Sequence, residues 1–415
     1  MLRVLLIAEQ CNPEWTSVPL VGWNWYKALR SYADITLVTQ IRNRAAISRH
    51  VNTNDNVEFI DSELVARPVH RLARLLTLGR GLGWTTKHVL AWMPYLYFEH
   101  KVWQRFGKEL AAGDFDLVHR LTPLSPVYAS LLSGRLAVPF MLGPLNGGLP
   151  WPRGSTRVRL SEMEFLSYLR SMYRLLPLVR QTYVRAAAVI AGSRHTQREI
   201  QRSFGIRCGY MPENGVDTDV FHADGRRPPS RIHPMRILFV GRLVPYKGAD
   251  VVIEAFAGSS RLRREAETVI VGEGPQRAVL HTLVSRHSLE QQISFMGSLP
   301  QSQVSALCRA SSVFAFPSIR EFGGAVVMEA MACGLPCIVV DYGGPGEYVT
   351  DRTGIRIPCG TRETRVAQVR AALEACLDLP LDSMSAAAAE HAHREFPWRK
   401  KAARFVSSYW QGCQQ

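Results

Sequence analysis

The sequence predicts an α/β protein built as two doubly wound halves, each a parallel sheet wrapped by helices. Three observations carry that prediction. Short β-branched runs recur in two separate series, helical stretches divide most of the runs, and a segment rich in Pro, Gly, Asp and Arg parts the two series. The 415 residues give ample chain for two sizeable cores. A hydrophobic fraction of 47% with 20% charged residues belongs to a globular chain and excludes disordered and fibrous classes.

The first series opens at Leu2-Arg3-Val4-Leu5-Leu6-Ile7-Ala8, nearly continuous in apolar residues, as a strand buried on both faces requires. It continues at Ile35–Thr39, Asp116–His119, Phe140–Leu142 and Val189–Ala191. The second runs from Met235 to Gly241, then through Thr268–Val271, Ile293–Met296, Val313–Pro317 and Cys337–Val340. The stretch Cys208 to Pro234 supplies the connection, so the expected domains are 1–207 and 208–390. Two such sheets facing each other leave a cleft at the carboxyl ends of their strands, where ligands bind in open α/β folds.

No apolar run reaches the roughly 18–20 residues of a bilayer span. The apolar start at Val4–Ala8 is too short for a signal-peptide core and leads directly to Glu9. The expected location is therefore cytoplasmic. Eight cysteines include no C-x-x-C pair and no Cys/His spacing of a zinc site, and they read as reduced packing residues.

The net charge of +15 is uneven: residues 1–200 carry +11 and residues 201–415 carry +4. An excess in one half points to an anionic partner, although 43 of the 50 basic residues are Arg and a bias towards Arg codons accounts for it equally.

Four motifs stand where chemistry is expected. After the strand Val313–Pro317, Arg320-Glu321-Phe322-Gly323-Gly324-Ala325 leads into a helix that holds Glu329. Glycines at a helix start let backbone N–H groups approach an anion, and a carboxylate two turns in can accept hydrogen bonds from a vicinal diol. After Met235–Val240 comes Gly241-Arg242-Leu243-Val244-Pro245-Tyr246-Lys247-Gly248, whose two cations can grip a diphosphate. His119, at a strand end in the first half, can bond a substrate hydroxyl or act as acid and base; a lone His is as often structural. The fourth is Gly143-Pro144-Leu145-Asn146-Gly147-Gly148. Beside it stands the loop Asn12 to Trp23, where Gly22 is expected to open the first helix and meet the donor phosphate.

With these motifs in view, the sequence resembles the retaining glycosyltransferases of family 4, which have the GT-B fold of two Rossmann-like domains. The resemblance covers most of the chain and rests on Asn214-Gly215-Val216-Asp217, Gly241-Arg242…Lys247-Gly248 and Val271-Gly272-Glu273-Gly274-Pro275. It also rests on the E-x7-E pair Glu321 and Glu329, on Tyr342-Gly343-Gly344-Pro345, and on Phe396-Pro397-Trp398…Tyr409. It implies a closing helix, 391–415, that returns to the first domain. It implies a nucleotide-sugar donor, uridine ahead of guanosine, held by the second domain, with Asn214 in the donor-binding set. Arg242 and Lys247 would neutralise the diphosphate and Glu329 would hold the ribose. Glu321 would contact the donor sugar, backbone amides of Phe322, Gly323, Gly324 and Ala325 would meet sugar and phosphate, and His119 would stand near the reacting carbon. Configuration would be retained and no bound metal or cofactor is expected, in keeping with the lack of an Asp-x-Asp metal motif near the cleft. Two departures stand out: Leu121 occupies a position that is often a second His, and the loop Thr16–Gly22 is poor in glycine.

The acceptor reads as a glycan or lipid-linked saccharide in bacterial polysaccharide or glycolipid synthesis, bound by residues 1–207. Aromatics between Trp92 and Phe106 interleave with Lys101 and Arg105, and residues 151–187 hold a net +5. A Ser161…Glu164 capping box followed by Met163, Leu166, Leu169 and Tyr173 at helical spacing reads as an amphipathic helix. Such a surface suits peripheral contact with an anionic membrane; the bland reading is that the aromatics are core. No nucleic-acid partner is expected, because no recognition module is present and the best motifs already call for a sugar nucleotide. The alternative function is a GT-B-like nucleotide-sugar epimerase.

Overall fold

Both series of apolar runs pair into parallel sheets. The computed structural model describes residues 1–52, 55–76, 84–152 and 172–413. They form two compact units: the described residues of Met1–Gly148, Arg159–Glu213 and Trp398–Gln415, and those of Leu149–Val158 and Asn214–Pro397.

In the first unit the strands are β1 (Arg3–Ala8), β2 (Asp34–Gln40), β3 (Asn56–Ile60), β4 (Leu117–Thr122), β5 (Phe140–Leu145), β6 (Ala188–Ala191) and β7 (Gly209–Tyr210), in the order β3-β2-β1-β4-β5-β6-β7. In the second they are β8 (Met235–Val240), β9 (Ala266–Val271), β10 (Ile293–Gly297), β11 (Val313–Phe316), β12 (Cys337–Val340) and β13 (Gly354–Ile357), in the order β10-β9-β8-β11-β12-β13. Every pair is parallel. Each order reverses once, between β1 and β4 and between β8 and β11. Loops that diverge at such a reversal leave a crevice at the carboxyl ends of the two strands.

The strands missing from the sequence reading, β3, β7 and β13, all lie at sheet edges. An edge strand needs one covered flank only, so its residues escape the apolar run that marks a central strand. β7 also moves the domain junction. Gly209 and Tyr210 pair with Ile190 and Ala191, so the first unit continues to Glu213 instead of ending at 207. The closing return begins at Trp398 and not at 391, because helix Leu381–Glu395 stays with the second unit, where Ser385 Oγ donates to Gly334 O at 2.6 Å.

The helix Trp398–Phe405 packs on the helix Val18–Leu29 within the first unit. The wholly buried Trp25 meets Trp398 at 5.6 Å and Phe405 at 5.0 Å between ring centroids, and its indole N–H donates to Glu213 O at 2.7 Å. Lys401 Nζ donates to Pro212 O at 2.6 Å. Burying a side chain of this size contributes roughly 1.5–3 kcal/mol.

The aromatics expected at a membrane are divided by the structure. Tyr95, Phe98 and Phe106 are buried in the core beside β4 and β5, and the helix Trp84–Ala112 turns Met93 to solvent. Trp92, Tyr97 and Trp103 are half-buried, so the core reading holds for three of the six aromatics. The proposed amphipathic helix around Ser161–Leu169 lies outside the described residues. Among the described residues, no helix is long and apolar enough to cross a membrane.

Candidate active site

In the second unit, the carboxyl ends of β8 and β11 bring the two strongest motifs together. After β8, Leu243 N bonds Glu273 O at 2.9 Å and a tight turn spans Pro245–Lys247. Gly248 then starts the next helix with φ 80°, and a Cβ there would stand 2.9 Å from Pro317 O. Only glycine allows both the left-handed backbone and that approach. After β11, Ile319 N and Ser318 Oγ both donate to Tyr246 O, at 3.0 and 3.1 Å. The two loops are thus bonded backbone to backbone, and Lys247 is delivered to Glu321: its Nζ donates to the Glu321 carboxylate as an ion pair.

Gly324, at φ 52°, caps the helix Ala325–Ala332. Its first N–H groups have no partner inside the helix, and the helix dipole adds positive potential at that end. Gly344 N donates to Glu321 O at 3.2 Å, so the helix Gly343–Tyr348 supports the same turn from behind. Phe322 is half-buried, and Gly323 is buried. Arg242 is exposed on the β8 loop, and among the described residues no ion pair engages it. Glu329 is half-buried in the helix, and burial, with Cys333 adding negative charge nearby, pushes its carboxyl up to about 7. Asn214 is half-buried where the chain enters this unit.

Sequence reasoning gave no role to Trp151, Arg320, Tyr246 or Tyr342, which lie around this pair. Trp151 lies under the Arg320 guanidinium, 4.4 Å from ring centroid to Cζ, and meets the Tyr246 ring edge-on at 6.5 Å. The Tyr342 hydroxyl donates to Pro150 O at 2.8 Å. Trp151 carries no local signal, since its contacts are roughly 100 and 170 residues away; Arg320 and Tyr246 were visible only as the residues preceding Glu321 and Lys247.

Two expected site residues belong to the interior of the first unit. His119 is wholly buried: β4 is a central strand covered on both faces, and its ring stacks on Phe405 at 5.3 Å with Trp410 edge-on at 5.8 Å. Its Nε2 bonds Gly143 O at 2.6 Å, and burial lowers its pKa to about 4. In this environment the imidazole is neutral and structural, which corrects the expectation of a substrate contact. A depressed pKa adds stability above the ordinary value of 6.5 that is lost as the pH falls towards 4. His119→Leu should therefore cost about 1–3 kcal/mol at neutral pH by orphaning the Gly143 carbonyl. It should also flatten the decline in melting temperature between pH 6.5 and 4.

Gly22 does not open its helix. Pro19 at the first turn starts the helix at Val18, which leaves Gly22 one turn inside, buried, where a Cβ would run into the Gln10 carbonyl. Its requirement is close packing on the loop after β1, and the expectation of a helix-start phosphate contact is corrected accordingly.

At the reversal between β1 and β4, a pocket of about 180 Å³ opens among Glu9, Gln10, Trp15, Arg42, Asn43 and Tyr128. Asn43, 1% exposed, is fixed by bonds to Glu9 O at 3.0 Å and Thr39 Oγ1 at 2.9 Å. Buried charges hold the wall that carries Tyr128. Arg120 donates to Tyr128 O at 3.0 Å, and Glu99 accepts from Ser130 Oγ at 2.9 Å and from Leu131 N at 2.6 Å. A hydroxylated ligand with one apolar face fits amides and a carboxylate beside aromatic rings. Among the described residues there is no cluster of three or more His, Cys, Asp or Glu fit to hold a metal.

Comparisons with known proteins bear on the fold. Residues 227–389 match the family model for glycosyl transferases group 1. Sucrose-phosphate synthase from Thermosynechococcus elongatus superposes with a TM-score of 0.69 at 16% identity, covering 99% of both chains. Anabaena HepE, solved with UDP and glucose, gives 0.63 at 18% identity over 99% of this chain and 100% of that one. The fold is GT-B. Among curated proteins, the chain is 32% identical over 246 residues to D-inositol 3-phosphate glycosyltransferase of Streptomyces bingchenggensis, covering 54% of this chain and 52% of that protein. It is 33% identical over 230 residues to glycogen synthase of Mycobacterium tuberculosis, covering 54% and 53%. The alignments span about half the length of these curated relatives.

Proposed function

We propose that this GT-B chain is a hexosyltransferase that moves a sugar from a nucleoside-diphosphate donor, held by the second unit, to a glycan or lipid-linked saccharide held by the first. One observation carries the reading: Lys247 and Glu321, with Arg242 and the helix of Glu329, meet at the β8/β11 reversal inside the stretch that matches group 1 glycosyl transferases. Arg242 and Lys247 bind the diphosphate and stabilise the charge that develops on the leaving group. Amides at Gly324 and Ala325 add positive potential, and Glu329 accepts the ribose hydroxyls. Glu321 orients the donor sugar, with Phe322 and Gly323 in the adjoining backbone and Asn214 completing the donor set. The donor is a uridine diphosphate sugar ahead of a guanosine one, the configuration is retained, and no bound metal or cofactor takes part. HepE, a structural neighbour, is solved with UDP-glucose.

The pocket beside Glu9 and Asn43 receives the acceptor sugar, with Trp15 as a stacking surface. The enzyme works at the inner face of the plasma membrane in polysaccharide or glycolipid synthesis. Exposed Met172, Leu175 and Leu176 next to Arg180 support the peripheral contact.

The test is proton NMR of the protein with a panel of uridine and guanosine diphosphate sugars, with and without saccharide acceptors. Acceptor-dependent release of the nucleotide, with an anomeric signal of unchanged configuration in the product, is expected. Conversion of the donor to an epimer without acceptor would instead establish an epimerase, and an inverted anomeric signal would exclude retention.

A further inference from the structure

Trp151 touches the residue before each member of the Lys247–Glu321 pair. Its ring lies 4.4 Å from the Arg320 guanidinium, and Arg320 precedes Glu321. Its edge meets Tyr246, which precedes Lys247. Arg320 is 7% exposed, and Phe322 flanks it at 5.8 Å, so the cation lies among aromatic rings. A desolvated guanidinium over an aromatic face is attracted to the ring quadrupole, which holds the cation at the ring. Tyr246 is further tied through its carbonyl to Ser318 and Ile319 on the other loop. The Trp151 segment is itself anchored, since Pro150 O accepts from the Tyr342 hydroxyl at 2.8 Å and Leu149 lies against Gly343. Tyr342 and Gly343 begin the turn that supports Glu321 O through Gly344.

We propose that Trp151 is a positioning residue of the donor site: by bridging Arg320 and Tyr246 it fixes Glu321 and Lys247 for a nucleoside diphosphate sugar. The inference rests on the donor reading above. The loops on either side are bonded backbone to backbone whether or not Trp151 is present, so the fold tolerates its loss. The orientation of the two side chains, Lys247 one residue beyond Tyr246 and Glu321 two beyond Ile319, is what the ring controls. Removing its π face while keeping apolar bulk should leave the loops in place and let Lys247 and Glu321 sample more rotamers. The resulting cost falls on ligand binding.

The experiment measures UDP and GDP binding by calorimetry, and donor KM and kcat with the UDP or GDP sugar that the wild type turns over. It compares wild type, Trp151→Leu and Trp151→Phe. Trp151→Leu is expected to melt within a few degrees of wild type, to bind the diphosphate about tenfold more weakly, and to raise donor KM more than it lowers kcat. Trp151→Phe, which keeps a π face, should recover most of the affinity. A Trp151→Leu protein that binds as wild type does overturns the inference, as does equal loss in Leu and Phe, which would reduce the ring to volume. If Trp151→Leu melts far below wild type, the Phe variant decides: full binding supports the role of the π face, and wild-type stability with lost binding contradicts it. A wild-type protein that binds neither diphosphate removes the donor reading and this inference with it, an outcome distinct from failure of the variants alone.

Discussion

Lys247→Ala and Glu321→Ala are each expected to lower sugar transfer by about two to four orders of magnitude, comparable to or beyond the loss of one preorganised donor at a developing oxyanion. The two side chains neutralise each other, and 16% of the Lys247 side chain and 18% of the Glu321 side chain are exposed. A pair this sheltered is incompletely screened, so breaking it leaves one charge poorly paired and costs some stability. Glu321→Gln separates the two effects. It preserves shape and frees Lys247, so it should tighten binding of the nucleoside diphosphate product while still depressing kcat, because the carboxylate no longer orients the sugar. Lys247→Met keeps the apolar stem against Phe316, whose ring centroid lies 5.1 Å from Nζ, and should weaken the diphosphate itself. Steady-state rates and product inhibition constants distinguish the patterns. Near-wild-type turnover in either alanine variant would refute the assignment of this pair to the reaction.

How far the sequence revealed this site depends on the range of the interactions involved. Central strands such as β1, β8 and β11 were legible because double burial demands apolar runs, whereas the edge strands β3, β7 and β13 carry no such demand. Lys247 and Glu321 were legible because each sits one loop beyond a readable strand, and strand order alone brings those loops together. His119 and Gly22 show the opposite limit. Both occupy the right place in the chain for a ligand contact, but side-chain direction in β4 and the true start of the helix Val18–Leu29 depend on what packs there. The packing comes from Phe405 and Trp410, nearly 300 residues away, and from the Gln10 carbonyl. Trp151 was illegible for the same reason: its role exists only through contacts far off in the chain. Part of the basic excess of the first 200 residues is structural. Arg120 spends its charge inside the core, bonding Tyr128 O.

Glu329 gives the donor site a dependence on pH, and its sign is opposite for stability and for binding. Burial raises its carboxyl from 4.5 to about 7. For folding, the neutral form is the favoured one, so its contribution is complete below 4.5 and is lost as the pH rises through about 7. For the donor, the carboxylate is the favoured form, because it accepts hydrogen bonds from both ribose hydroxyls and a neutral acid accepts less well. Affinity for a nucleoside diphosphate sugar should therefore rise with pH and level off above about 7, with a limiting slope of tenfold per pH unit on the acid side. UDP-glucose is the appropriate probe, since its diphosphate bears no group that titrates near neutrality. Glu329→Gln should flatten the profile and weaken binding by roughly 10- to 150-fold on the plateau, the equivalent of about 1.5–3 kcal/mol for a charged hydrogen bond. It should at the same time raise the melting temperature above pH 7, because the buried charge is gone. Cys333 is the rival source of a slope, since its thiol is held low by bonds from Cys308 and Ser305 and by nearby arginines. Its ionisation places a second negative charge beside Glu329 and so pushes the carboxyl pKa higher. Cys333→Ser should therefore shift the rise in affinity to lower pH while keeping its slope. A slope that survives Glu329→Gln and vanishes in Cys333→Ser would transfer the titration to the thiol and leave Glu329 without its place at the ribose.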